Sequence, residues 1–235
     1  MMEKADIGII CAMNVEVEGL SAAMTDKEVM HMSSIEFICG KIADKKVVMA
    51  VCGIGKVFAA LCTQTMILGF SPDIIINSGI AGTLTGKLAI GDAAIALKAV
   101  QHDIDTTALG DEPGMISGLN MVYVPTDENV TNQLAECVRG LKIKCETGTI
   151  ATGDQFINDS KKKAELVRKF GAIACEMEGG AIAQVCYVNK VPFSILRVIS
   201  DGGDDNSHLD YAEFKKLASE KSVQIMKSFV EKYKK

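Results

Sequence analysis

Five short, mainly apolar runs, at 7–12, 47–51, 73–77, 172–175 and 193–200, constrain this chain more than any other feature. A strand with one face in water alternates apolar and polar residues. A strand covered on both faces has no polar side and reads as a continuous run of Val, Ile and Ala. Covering both faces requires layers of helix. Segments with apolar residues three and four apart supply them, at 56–68, 128–139, 161–170, 178–188 and 211–233. The stretch 28–51 reads instead as a hairpin-like antiparallel element. The expected fold is α/β, a three-layer αβα sandwich with a central mixed, mainly parallel twisted sheet. No Pro/Ser-rich linker, low-complexity tract or repeat divides the pattern, so residues 1–235 are expected to form a single domain.

Charge and composition exclude several classes of function. A net charge of −5 speaks against a nucleic-acid surface, whose affinity comes from clustered Lys and Arg. The short basic runs at Lys161 to Lys163 and Lys232 to Lys235 read as solvated faces and helix-dipole complements. No apolar stretch reaches the roughly 20 residues of a membrane helix, and residues 1–6 lack the basic head and apolar core of a signal peptide. The expected location is the cytoplasm, with no membrane partner. Cys11, Cys39, Cys52, Cys62, Cys175 and Cys186 sit inside apolar runs without CxxC spacing and read as buried thiols. His31, His102 and His208 are far apart, so no metal is expected, and no other cofactor is called for.

In sheets of this kind ligands gather beyond the carboxyl ends of the strands. The residues just after each apolar run are therefore informative. Ala12-Met13-Asn14-Val15-Glu16 succeeds the first and Cys52-Gly53-Ile54-Gly55-Lys56 the second. Ser78-Gly79-Ile80-Ala81-Gly82, Glu176-Met177-Glu178 and Ser200-Asp201-Gly202-Gly203 succeed the others. Five strand ends are expected on one rim, carrying Glu16, Glu178 and Asp201. Read singly, Glu16 and Glu178 could be acidic residues that favour the first turn of a helix, where they meet the positive end of its dipole.

The segments IGIICAMNVEVEGL, VCGIGKVFAA, IINSGIAGTL, ATGDQFIN, ACEMEGGAIA and LRVISDGGDDNSHLDYAEF occur in this order. Together they make the chain resemble, over essentially its whole length, the bacterial 5′-methylthioadenosine/S-adenosylhomocysteine nucleosidases of the nucleoside phosphorylase superfamily. The resemblance implies that Glu16 positions and deprotonates the attacking water, that Glu178 accepts hydrogen bonds from the ribose hydroxyls, and that Asp201, next to Ser200, delivers a proton to adenine N7. It implies that Phe156 stacks on the base while the backbone of Ile157 reads the purine edge. Met13, Ile54, Met177 and Tyr211 would surround the sugar and its 5′-substituent. Arg197 would be an internal partner for one of the catalytic glutamates. Two departures stand out. Ile80 replaces a common Ser, and Leu109 and Asp111 replace aromatics in the loop 102–111, which the resemblance places near the pocket of a neighbouring subunit in a homodimer.

These roles agree with the chemistry. Departure of adenine leaves an oxocarbenium-like sugar, which a nearby anion stabilises while an acid neutralises the leaving base. A protonated carboxyl donates to N7 and accepts from the 6-amino group, whereas a 6-oxopurine presents acceptors at both places. Asp201 therefore argues for adenine. A phosphorylase needs a cationic grip on phosphate. Of Arg139, Arg168 and Arg197 only Arg197 falls in a rim motif, and Lys56 opens a helix with its side chain expected toward solvent. The expected reaction is hydrolysis of 5′-methylthioadenosine and/or S-adenosylhomocysteine to adenine and the thioribose, as part of methionine salvage, with nucleoside and water as the small-molecule partners. The alternatives are an aminodeoxyfutalosine nucleosidase, a purine nucleoside phosphorylase, or a nucleoside-binding or storage protein without catalysis.

Overall fold

A computed structural model describes residues 4–235, so the first three residues of the N-terminal reading lie outside the described residues. β1 (Ile7–Cys11) is buried throughout and lies between β4 (Lys45–Val51) and β5 (Ile74–Thr83), parallel to both. Its run is unbroken because both faces are covered. Ile7, Ile9 and Cys11 enter one apolar cluster and Ile10 enters the other, as the alternation of side chains along a strand requires. Gly8 leaves room for the neighbouring helix, since a Cβ there would lie 2.6 Å from Met66 Sδ. β2 (Thr25–Met32) and β3 (Ile35–Ile42) continue the sheet beyond β4 as antiparallel strands, the element expected at 28–51.

On its other side β5 runs parallel to β10 (Phe193–Asp201). β10 pairs antiparallel with β6 (Ala93–Gln101), which is parallel to β8 (Cys145–Thr152), itself parallel to β9 (Ala172–Glu176). β9 then returns antiparallel to β5 at Gly82 and Thr83. The sheet thus closes on itself through β5, β10, β6, β8 and β9, with a short β7 (Tyr123–Pro125) on the outer side of β6. The central mixed sheet is observed. Its parallel pairings fall in two groups, β4, β1, β5 and β10 in one and β6, β8 and β9 in the other, and the antiparallel ladders of the hairpins and of the closure balance them.

Helices cover both faces. α2 (Lys56–Phe70) and α5 (Gly179–Asn189) pack on one side around Ile10, Phe37, Met66 and Ile182. α1 (Asn14–Ser21), α3 (Glu128–Gly140) and α6 (Ser207–Lys232) pack on the other around Ile9, Leu20, Leu134 and Phe229. α4 (Ser160–Phe170) lies over β8 and β9. Asp127 and Asp159 cap α3 and α4 by accepting from Val130 N and Lys161 N. All eight cysteines are free thiols. Among the described residues no helix is long and apolar enough to cross a membrane, and no group of side chains is arranged to hold a metal ion.

Candidate active site

The rim forms a cavity of about 320 Å³, lined by Met13, Glu16, Ile54, Ile80, Phe156, Met177, Glu178, Arg197, Ser200, Asp201 and Tyr211. β9 reaches it even though it runs against β5. The two strands pair only at Gly82 and Thr83, the far end of β5, so the carboxyl end of β9 arrives where β10 ends. Two glycines of the Ser78 to Gly82 run are there because carboxylates lie against the strand. A Cβ on Gly79 would sit 3.1 Å from Glu16 Oε1 and 3.3 Å from Arg197 Nη1, and one on Gly82 would sit 2.6 Å from Asp201 Oδ1.

Glu16 is the third residue of α1, and its Oε2 accepts from the amides of Ala12 at 3.1 Å and Met13 at 3.0 Å. The helix-start preference and a place in the cavity coincide in this residue. Only 2% of it is exposed, and burial pushes its carboxyl up to about 7 against the opposing pull of Arg197 and the amides. Glu178 behaves differently. It directly precedes α5 but makes no cap hydrogen bond; its Oε1 instead accepts from Gly55 N at 2.9 Å, on the loop between β4 and α2. Burial, reinforced by the adjacent Glu176 carboxylate, pushes Glu178 up to about 7 as well.

The capping of α5 falls to Glu176. Its Oε2 accepts from Glu178 N at 3.0 Å and Gly179 N at 2.7 Å, and its Oε1 accepts from the Thr152 hydroxyl. Arg197, 1% exposed, donates through Nη2 to the same Glu176 carboxylate and to Asn77 Oδ1. The expected partnership of Arg197 with a catalytic glutamate is present only as a long ion pair with Glu178. Glu176 is the direct partner, and Glu178 Oε2 stands off at 3.9 Å. Burial would raise Glu176, but the guanidinium charge, Thr152 and the two amides hold it below the usual carboxylate range. The one buried cation is therefore shared, held directly by Glu176 and at longer range by Glu178 and Glu16. The Gly179-Gly180 start of α5 is a consequence of this packing: a Cβ on Gly180 would meet Gln101 Cγ at 2.8 Å and Thr152 Oγ1 at 2.9 Å.

Asp201 is 3% exposed, and burial raises its carboxyl. Gly203 N donates to its Oδ1 at 3.0 Å and the Ser200 hydroxyl to its Oδ2 at 2.8 Å, so Ser200 orients the aspartate from within the cavity wall. Phe156, 44% exposed, meets Tyr211 edge-on with ring centroids 5.6 Å apart, and the Tyr211 hydroxyl lies 3.3 Å from Met13 Sδ. These three side chains form the apolar wall facing the carboxylates.

A family model for the phosphorylase superfamily matches residues 6–231. The chain is 38% identical to the 5′-methylthioadenosine/S-adenosylhomocysteine nucleosidase of Shewanella loihica over 226 residues, covering 95% of this chain and 98% of the relative. The chain belongs to the 5′-methylthioadenosine/S-adenosylhomocysteine nucleosidase family. Among solved members, a mutant of the Helicobacter pylori enzyme with 5′-methylthioadenosine in its active site aligns with a TM-score of 0.94 at 33% identity, over 97% of this chain and 99% of that one. The Helicobacter pylori futalosine hydrolase aligns with a TM-score of 0.93 at 34% identity, over 97% of each chain.

One expectation for this nucleosidase-family site, the solvent-facing Lys56, changes on contact with the structure, while Ile157 and Leu109 take positions compatible with theirs. The Ile157 side chain is buried with Leu166 and Phe170 and borders a small recess beside Met177 and Asp201, not the main cavity. Leu109 is 83% exposed on a short turn of 3₁₀ helix (Thr107–Leu109), outside the cavity of its own chain. On that loop Asp111 accepts from the Thr106 hydroxyl. Lys56 does not face solvent: its Nζ pairs with Asp103 Oδ1 at 2.6 Å, both side chains being less than one-fifth exposed. Glu176, Asn77 and Thr152 are functional neighbours that the sequence does not single out.

Proposed function

We propose that this chain hydrolyses the N-glycosidic bond of 5′-methylthioadenosine and/or S-adenosylhomocysteine, releasing adenine and the thioribose. The observation that carries this reading is that Glu16, Glu178 and Asp201 enter one apolar cavity whose arginine is already paired with a fourth carboxylate. The base lies between Phe156 and Asp201. Asp201 delivers a proton to N7 while its other oxygen accepts from the 6-amino group, and burial shifts its carboxyl in the direction that favours the protonated form. Glu178 accepts from the ribose hydroxyls and faces the positive charge that develops as the bond breaks. Glu16, held near neutrality, takes the proton of the attacking water. The Ile157 backbone reads the purine edge. Met13, Ile54, Ile80, Met177 and Tyr211 offer an apolar seat to a 5′-thioether.

Phosphate has no counterpart here. Arg197 is neutralised by Glu176 and Lys56 by Asp103, and Glu16 repels a second anion. Adenine release from 5′-methylthioadenosine is therefore expected in phosphate-free buffer, at a rate that added phosphate does not raise. An absolute phosphate requirement, measured by coupled adenine detection, would overturn hydrolysis in favour of phosphorolysis. The near-equal likeness to the futalosine hydrolase makes an adenosine with a larger 5′-substituent of the futalosine type the second reading. Adenine release from a panel of 5′-variants ranks the two.

The match across residues 6–231 supports one nucleosidase domain over 1–235. The free thiols fit the reducing cytoplasm, where the products would enter methionine salvage. A homodimer is supported by Val57, Phe58 and Leu61, which are exposed at helical spacing on α2 close after the cavity residue Ile54, and by the bare Leu109. Light scattering is expected to give a dimer. A fully active monomer would overturn that assignment and the approach of Leu109 to a partner's pocket.

A further inference from the structure

Three loops beside the site are tied together by a closed circuit of three polar contacts among Lys56, Asp103 and Asp154, to which a fourth contact is joined. Lys56 Nζ donates to Asp103 Oδ1 at 2.6 Å, Asp154 N donates to Asp103 Oδ2 at 2.9 Å, and Lys56 N donates to Asp154 Oδ1 at 2.8 Å. The fourth contact joins the circuit to the ribose side of the cavity. Gly55 N, one residue before Lys56, donates to Glu178 Oε1 at 2.9 Å. Two residues after Asp154 stands Phe156, packed edge-on against Tyr211. Gly55 takes a left-handed φ of 98°, and a Cβ there would lie 2.9 Å from Asp154 Oδ1, so the glycine permits the close approach. Asp103 leads into the loop that bears Leu109.

From this geometry we infer that Lys56 and Asp103 are positioning residues for the nucleosidase reaction. They set the distance between the loop that anchors Glu178 and the loop that presents Phe156, and so hold ribose and base in register. The ion pair is placed for this. Its side chains are 18% and 17% exposed, enough to escape most solvent screening, while both charges remain hydrogen-bonded. Neither residue lines the cavity, so any effect on the reaction passes through Gly55, Glu178 and Phe156. Burial would raise the Asp103 carboxyl, but Lys56 and the Asp154 amide hold it below its ordinary value. A misplacement of about 1 Å at a reacting centre can cost on the order of 10²-fold in rate.

The inference rests on the nucleosidase reading, and the test separates the two. Wild-type protein, Lys56→Met, Asp103→Asn and the double variant are compared for kcat, KM and Tm with 5′-methylthioadenosine. Each single variant is expected to lose about 10-fold or more in kcat/KM, mainly through KM, because base and ribose lose their joint fit. The double variant is expected to lose no more than the worse single variant, since both break one circuit. Lys56→Arg and Asp103→Glu, which keep both charges, are expected to retain most of the activity, and they carry the same test if the neutral variants do not fold. Losses confined to Tm, with kcat/KM within about twofold of wild type well below Tm, would overturn the inference, as would losses that multiply in the double variant. An inactive wild type would overturn the nucleosidase reading instead.

Discussion

Asp201→Asn is expected to lower the turnover of 5′-methylthioadenosine by at least about 10²-fold while leaving KM nearly unchanged. The variant keeps the geometry. Its amide oxygen still accepts from Gly203 N, and its NH₂ group has the Ser200 hydroxyl as an acceptor. An amide can also hold adenine, donating to N7 and accepting from the 6-amino group. It cannot give up a proton as adenine leaves. Binding and proton transfer are thus separated in one substitution, and steady-state kinetics at several pH values reads both. Turnover close to wild type would remove Asp201 from the role of general acid.

Glu16→Gln is expected to cost a similar factor in turnover, at least about 10²-fold, and at the same time to stabilise the protein at alkaline pH. The two effects share one cause. Burial holds the Glu16 carboxyl at about 7 in the folded protein, against 4.5 for the ordinary side chain. Between those values the folded state keeps a proton that the unfolded state has released, so stability falls as pH rises. Above about 7 the full cost is present, roughly 3 kcal/mol. Gln carries no charge and still accepts from the amides of Ala12 and Met13. Calorimetry is expected to give the variant a Tm several degrees above wild type at about pH 8 and little gain at about pH 5. The activity of the wild type should fall as pH drops below about 7. Glu178 is displaced to a similar value and lies close by, so that acid limb belongs to the pair and not to either residue alone. A Tm difference independent of pH would show that Glu16 is not buried as an anion.

How far these assignments can be read from the chain differs from residue to residue. Glu16, Glu178 and Asp201 are legible because each comes after an apolar run, and the end of a buried strand is where a polar residue must either meet a partner or meet a ligand. Glu176 stands in the same motif as Glu178 and carries no mark of its own. Nothing local separates the two glutamates; the chain leaves β9 between them, which turns one toward Arg197 and α5 and the other toward Gly55. Strands β6 and β8 escape for another reason. β6 is rich in Ala and interrupted by Lys98 at an irregularity in its pairing with β8, and β8 opens on Cys145-Glu146-Thr147-Gly148, so neither carries a continuous apolar signal. The surroundings of Lys56 and Leu109 are not legible at all, because the sequence does not say which distant loops stand beside them.

By itself the sequence determined the helix-covered mixed sheet and the polar residues at its rim, because burial on two faces and the residues that end a strand are properties of neighbours in the chain. Only the tertiary structure decided how charge is distributed among them. Closure of the sheet through β9 and β5 brings Arg197 to Glu176 and Asn77, 21 and 120 residues away, and leaves Glu16 and Glu178 only at longer range from it. In a site that excludes water the energy of a charge depends on which partner lies within a few ångströms, and that distance is set by the fold and not by position along the chain.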